Sequence, residues 1–421
     1  TVAAALLHDI FEEKPELKKE AEKEFGQEIC FLIEGVTKLN KIKYQGLQRT
    51  AESLRKMFLA IGEDIRIVLL KLVDRMNNME TLQYLPPEKQ IRIARETLEI
   101  YAPLAYRLGM SSLSGQLEDL AFPYVLPREY KWLMDTTKEK YREWEKLISK
   151  LKPILANELK KENISFLEIK GRIKYYYSLY KKLQKYDMDV SKITDIVAMR
   201  VILENMEDCY AALGVVHKLW RPVPGRIKDY IALPKPNGYQ SLHTTVFGED
   251  GQMLEIQIRT KEMHEQAEYG IAAHWAYSEF KKGDTSPYLR LKYSFLNQER
   301  FAWLDQIREW QKDVENPDEF LETLKIDFFK SRIFVLSPKG DVIDLPEGAT
   351  PLDFAYHIHT DLGASAMGAR INGKMVSLDY RLKTGEVVDI ITQKNQQPNS
   401  DWLKFVKSNQ ARKKIISALK K

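Results

Sequence analysis

Leu254-Glu255-Ile256-Gln257-Ile258-Arg259 alternates apolar and polar side chains without a break. A period of two is that of a strand, with Leu254, Ile256 and Ile258 on one face and Glu255, Gln257 and Arg259 on the other. A second β-branched run, Ile193–Leu203, predicts another strand. Pro222–Gly225 and Pro234–Gly238 punctuate the chain between them as turns. The texture from about Ile164 onward is therefore that of an α/β domain.

Working outward, the chain reads as helical up to about residue 125. Ile65–Met79 keeps apolar residues at helical spacing without Gly or Pro, and Pro86-Pro87 opens a helix running through Arg92–Tyr101. Residues 126–163, dense in Lys, Glu and Trp, predict an exposed pair of connecting helices. Helical texture returns at Lys261–Lys281 and Glu299–Lys325, and residues 301–328 read as a linker helix. Residues 329–394 form a further unit. Arg332–Leu336 and Asp341–Leu345 flank a Pro-Lys-Gly-Asp turn as a hairpin, Thr350-Pro-Leu-Asp starts a helix, and short strands lie near Gly368–Ile371 and Val387–Ile391. That pattern is a small β-grasp module. Residues 395–421 read as the start of another helical domain.

The 421 residues carry 65 Lys+Arg against 60 Asp+Glu, a net charge of only +5, with 44% hydrophobic residues. That composition excludes disordered and collagenous chains. Two cysteines, Cys30 and Cys209, build neither a disulfide framework nor a zinc site and suit a reducing cytoplasm. No apolar run reaches the roughly 18 residues of a membrane span. Thr1 opens inside an apolar helical pattern with no signal-peptide n-region, the expected start of a fragment.

Two constellations carry chemistry. His8-Asp9 lie in a helical pattern with Glu12 and Glu13 one turn later, and Asp74 and Asn78 share a helix face four residues apart. Imidazole with carboxylates suits Mn²⁺ among divalent metals, and such an ion activates water against a phosphate ester; the same groups also serve as ordinary ion pairs. The second constellation begins at Gly171, where Arg172 or Lys174, Ser178 and Lys182 recur at about four-residue steps. That face either clamps a polyphosphate or is a solvated basic surface. Asp195 and Glu255, offered by neighbouring strands, are what a Mg²⁺-dependent phosphoryl or pyrophosphoryl transfer needs; each read alone is equally a polar-face residue. The turn-rich stretch 221–245 projects Arg226, Lys228, Lys235, Asn237, Tyr239, Gln240 and His243, with Tyr239 placed to stack on a base. Such a density of cationic, amide and aromatic groups favours binding over packing.

Several of these motifs together resemble long RelA/SpoT (Rel) enzymes. Gly171-Arg-Ile-Lys, Asp195-Ile-Val-Ala-Met-Arg, Trp220-Arg-Pro-Val-Pro-Gly-Arg-Ile-Lys-Asp, Asn237-Gly-Tyr-Gln-Ser-Leu-His and Glu255-Ile-Gln-Ile-Arg-Thr are similar to the family's synthetase domain. His8-Asp-Ile-Phe-Glu-Glu and Leu72-Val-Asp-Arg-Met-Asn-Asn resemble its HD-type hydrolase domain, and Phe334–Asp341 with Thr350–His359 its TGS domain. The resemblance implies an all-α HD domain over 1–125, a nucleotidyltransferase-like α/β synthetase with a mixed sheet over 164–300, and a β-grasp TGS domain. It also implies synthesis and hydrolysis of (p)ppGpp: pyrophosphate passes from ATP to the 3′-hydroxyl of GDP or GTP, or the 3′-pyrophosphate is removed. Asp195 and Glu255 would hold Mg²⁺, with Glu255 the base. Arg172, Lys174, Ser178 and Lys182 would bind ATP, while Lys235, Tyr239 and His243 would bind the guanine nucleotide. Arg226-Ile-Lys-Asp229 has the form associated with bifunctional members. In the hydrolase, His8, Asp9 and Asp74 would hold Mn²⁺, Glu12 and Glu13 would handle water, and Asn78 would touch nucleotide. The family's first metal-ligating His would lie upstream of Thr1.

A ribosome and uncharged tRNA would be partners through TGS and later domains, without a membrane. Asp361-Leu-Gly-Ala-Ser-Ala-Met-Gly368 departs from the family's His-x-Cys there. A mainly hydrolytic enzyme and a tRNA-binding regulator with degenerate catalysis are the alternative readings.

Overall fold

The computed structural model describes residues 1–40, 56–57, 60, 63–190, 193, 197–235, 237–248, 251–273, 332–393 and 396–420. These divide into two compact units, one ending at residue 273 and the other beginning at residue 332. No helix among the described residues is long and apolar enough to cross a membrane.

The first unit begins all-α: α1 (Val2–Leu6), α2 (Ile10–Glu13), α3 (Lys18–Phe25), α4 (Gln27–Asn40), α5 (Ile65–Glu80), α6 (Pro87–Glu96), α7 (Ala102–Arg107) and α8 (Ser111–Val125). Asp64 caps α5 by accepting the Arg66 N–H at 2.9 Å, and the helix buries Ile67, Val68, Leu70, Leu72 and Met79. The helix expected from Pro87 to Tyr101 ends at Glu96 and passes into a wide π turn, Thr97–Tyr101. Pro103 follows after Ala102; lacking an N–H and crowding the carbonyl four residues back, it opens the turn.

Residues 127–161 are one helix, α9 (Pro127–Lys161), not the exposed pair expected. Leu133, Thr137, Tyr141, Ile148, Leu151, Leu155 and Leu159 form a buried stripe along it. The intervening Lys and Glu hide that stripe in the composition. It packs on a sheet of β1 (Phe166–Ile173), β2 (Val197–Leu203), β3 (Lys228–Asp229), β4 (Leu242–Phe247) and β5 (Met253–Thr260), with α10 (Tyr176–Leu183), α11 (Met206–Leu219) and α12 (Lys261–Tyr269) between and after the strands.

The strand order is β1-β2-β5-β4-β3, with β2 and β5 parallel and the other pairs antiparallel. Ile169, Met199, Val201, Leu203, Ile256 and Ile258 face α9 and α11 in the core. Gly171 lies on that face too, where a Cβ would stand 2.8 Å from the Ile148 side chain. Glycine there lets α9 lie directly on β1.

The second unit has a hairpin, β6 (Arg332–Leu336) with β7 (Val342–Pro346), as expected. Helices α13 (Pro351–Ile358) and α14 (Thr360–Ala364) precede the sheet β10-β8-β9, formed by β8 (Ala366–Ile371), β9 (Lys374–Val376) and β10 (Val388–Thr392). A single parallel bridge, Leu336 to Val387, links hairpin and sheet. The last helix, α15 (Asn409–Leu419), does not open a separate body. Trp402, Val406, Ala411 and Ile415 share a core with Leu352 and Tyr356 of α13.

Asp353, fully buried, ties the two together. Its carboxylate accepts from Thr350 N and Oγ1 in a capping box and from Lys407 N, Ser408 N and Ser408 Oγ across the unit. Asp353→Ala strands these donors in the core and is expected to cost about 3–5 kcal/mol. A urea titration of the second unit in which the midpoint did not move would refute this.

Candidate active sites

Sheet register assembles the polar face. Lys170, Arg200, Gln257, His243 and Lys228 stand directly opposite one another across all five strands. The next row is Arg172, Ala198, Glu255 and Thr245. Directly opposed residues point to the same side, so this face sets cations in the rows that hold Glu255. Arg172 Nη1 donates to Gln257 Oε1 at 3.4 Å, and Gln257 Nε2 donates to Glu255 Oε1 at 2.7 Å. His243 Nδ1 lies 3.2 Å from the same oxygen, while Tyr239 Oη and His243 Nε2 are 2.8 Å apart. With Nδ1 donating to the carboxylate, Nε2 is left to accept the phenol proton.

Burial pushes the Glu255 carboxyl up, but the His243 and Gln257 donors and nearby Lys174 outweigh it, so Glu255 sits below the usual carboxylate range. Burial also pushes His243 down, despite Glu255. Lowered from its ordinary value, His243 is mostly neutral near pH 7. Glu255 is then held by a hydrogen bond, not by an ion pair.

Glu268, carried back over the sheet by α12, accepts from Arg200 Nη1 at 2.8 Å and Arg259 Nη2 at 3.2 Å. Burial pushes Arg259 down to about 10, an effect that Tyr239 opposes and Arg200 reinforces. Arg200 Nε and Arg259 Nε are buried without a hydrogen-bond partner among the described residues. Arginines in strands at alternating buried positions were the available signal for this pair.

Of the turn-rich stretch, Lys235 and Tyr239 join the site: Lys235 Nζ lies 4.7 Å from the Tyr230 ring centroid and 5.0 Å from that of Tyr239. Asn237 and Gln240 turn inward to shape the loop, Asn237 Oδ1 accepting Tyr239 N–H and Gln240 Nε2 donating to the Ile231 carbonyl. Arg226 and Lys228 are exposed. Ser178 and Lys182 lie on α10 with Ser178 bonded to Glu118, not to the sheet face. Asp195 lies outside the described residues.

In the helical part, His8 and Asp9 occupy the turn between α1 and α2 instead of a helix. His8 Nδ1 lies 2.8 Å from the Ala5 carbonyl, leaving Nε2 toward Asp9 Oδ1 at 3.2 Å and Asp74 Oδ1 at 3.4 Å. Asn78 Nδ2 donates to Asp74 Oδ1 at 2.8 Å, as the four-residue spacing predicts, and Lys71 bonds the other oxygen. A backbone-anchored imidazole with two carboxylates suits a divalent ion in donor type. Among the described residues, however, no group of three or more His, Cys, Asp or Glu is already arranged to hold one. Glu12 and Glu13 are exposed.

The comparisons with known proteins agree with this geometry. The model of a region found in RelA/SpoT proteins matches residues 171–282, an HD domain model matches 1–111 and a TGS domain model matches 333–392. A GTP pyrophosphokinase of Myxococcus xanthus is 46% identical over 424 residues, covering 100% of this chain and 55% of that protein. The chain belongs to the RelA/SpoT family. A guanosine-3′,5′-bis(diphosphate) 3′-pyrophosphohydrolase of Aquifex aeolicus is 47% identical, covering 100% of this chain and 58% of that one. A bifunctional (p)ppGpp synthase/hydrolase of Mycobacterium tuberculosis is 44% identical, covering 99% and 56%. The chain thus spans about half the length of the curated relatives it matches. The RelA/SpoT match opens at Gly171 and contains every residue of the two polar rows except Lys170. Domains of the RelA/SpoT and HD kinds generally use divalent metals.

Proposed function

We propose that the sheet site transfers pyrophosphate from ATP to the 3′-hydroxyl of GDP or GTP, and that the HD-type site removes the 3′-pyrophosphate of (p)ppGpp. The observation that carries the first half is Glu255, held by Gln257 and His243 on a polar face that Arg172 joins through Gln257 and Lys174 influences by its charge. Mg²⁺ held by Glu255 and Asp195 would neutralise phosphate charge when bound. Glu255, ionised at neutral pH, accepts the 3′-hydroxyl proton. Arg172, Arg200 and Arg259 supply forked donors to phosphate oxygens, and Lys174 adds a point charge. Tyr239 offers its ring to guanine beside Lys235. In the helical part, His8, Asp9 and Asp74 would hold Mn²⁺, which would supply an activated water, with Asn78 beside them. The relatives' printed activities, a cytoplasmic setting, ribosome and uncharged tRNA as partners, and a role in the stringent response are part of the same proposal.

Incubating the chain with ATP, GDP and Mg²⁺ should yield ppGpp on anion-exchange separation; no product would refute the reading. Lys235 gives a pH test. Burial pushes its ammonium down to about 8, helped by Lys228 and opposed by Glu255. Its charge is therefore present below about pH 8 and lost above. The KM for GDP should rise above that pH, and Lys235→Arg, charged throughout, should move the rise to higher pH. A KM flat to pH 9 in the native chain would contradict this.

A further inference from the structure

Helix α8 presents two successive carboxylates, Glu118 and Asp119, to α10. Asp119 accepts the Tyr176 N–H at 3.1 Å and the Tyr177 N–H at 2.9 Å. Tyr175, at the N-cap of α10, makes no side-chain cap, so a residue of another helix closes this terminus. The approach is fixed: a Cβ at Gly115 of α8 would stand 2.1 Å from the Tyr175 ring, and Tyr175 Oη reaches the Ser112 carbonyl at 3.2 Å.

Beside this anchor, Glu118 Oε2 accepts from Ser178 Oγ at 3.1 Å and Oε1 from Lys181 Nζ at 2.6 Å. Glu118 is buried. A hydroxyl has one proton to donate, so Ser178 cannot serve Glu118 and a phosphate oxygen together. Two carboxylate oxygens accepting one hydroxyl and one ammonium also reproduce the charge and acceptor pattern of a phosphate group.

We propose that Glu118 is a positioning residue that occupies the polyphosphate's place on Ser178 and Lys181 until ATP displaces it. The inference rests on the synthetase reading and on the role that the family resemblance gives Ser178 and Lys182 of α10 in binding ATP, Lys181 being the neighbouring cation on that helix. Asp119 holds the helix whether or not Glu118 is engaged, so α10 stays seated when the nucleotide arrives. ATP binding then includes the loss of two charge-assisted hydrogen bonds, and nucleotide affinity is set partly by a residue that never touches it.

The test is Glu118→Gln in the full chain, a near-isosteric change that keeps an acceptor for Ser178 and removes the charge. Calorimetry with two probes, α,β-methylene-ATP with Mg²⁺ and inorganic tripolyphosphate, should show Kd lower by about tenfold for both. The KM for ATP should fall likewise, with kcat and the KM for GDP within about twofold of the native chain. Glu118→Asp, which retracts the charge by one methylene, should give a smaller tightening. Unchanged or weaker binding of both probes to both variants would overturn the proposal, because a purely structural Glu118 loosens the site when altered. The synthetase reading is judged separately, by ppGpp formation in the native chain.

Discussion

Glu255→Gln should lower kcat for ppGpp synthesis by roughly 10³-fold or more, while leaving the fold intact. The amide oxygen still accepts from His243 and Gln257, so the local hydrogen bonds survive. What disappears is the anion. A positioned general base contributes about 10²–10⁴-fold, and loss of a charge that balances phosphate-bound metal adds to that. The substitution leaves the Arg200 and Arg259 bonds to Glu268 untouched. ATP phosphates should consequently still bind, separating kcat from the KM for ATP. Single-turnover assays that found synthesis within tenfold of the native rate would remove Glu255 from its proposed role.

Gly270→Ala should be the most destabilising single-methyl change in the first unit. Gly270 ends α12 at φ 54° and ψ −129°, a conformation essentially confined to glycine. Its added Cβ would stand 2.3 Å from the Leu108 carbonyl oxygen, 2.4 Å from Gly109 C and 2.7 Å from Met110 N. These are backbone atoms, which cannot swing aside as a side-chain tip can. The neighbouring Ile271 N–H bond to the Leu108 carbonyl, 3.0 Å, would also be lost. Strain and overlap together should cost about 4 kcal/mol or more. Gly225→Ala is the control, since φ is also positive there at 72° but the space is open; about 1 kcal/mol is expected. Similar urea midpoints for the two variants would refute the argument. Because α12 carries Glu268, Gly270→Ala should also disturb the Arg200–Arg259 pair.

The strand bearing Glu255 was legible because its alternation is local, and so was the Asp74–Asn78 pair, which depends only on helical pitch. The cationic row was not. Lys170, Arg200, Gln257, His243 and Lys228 come from five strands, and only their register sets them side by side. Glu118 and Asp119 escaped notice for the same reason, since their partners lie about sixty residues along the chain. Asn237 and Gln240, amides on a turn-rich loop, also make bonds that hold the loop itself, which composition alone does not show. His8-Asp9 followed an apolar pattern too short to distinguish a helix from the turn that interrupts it.

The five-donor carboxylate of Asp353 bears on how this part of the molecule can be cut and recombined. The TGS match ends at residue 392, a natural place to sever a module by sequence. A piece ending there would lose Lys407 and Ser408, leaving a buried anion short of three donors, and would uncover Leu352, Tyr356 and Ala366 to water. The transferable unit therefore runs through the α15 contacts at Ala411 and Ile415. Chimeras joined upstream of residue 407 should express as aggregates, whereas junctions beyond 419 should yield a folded module.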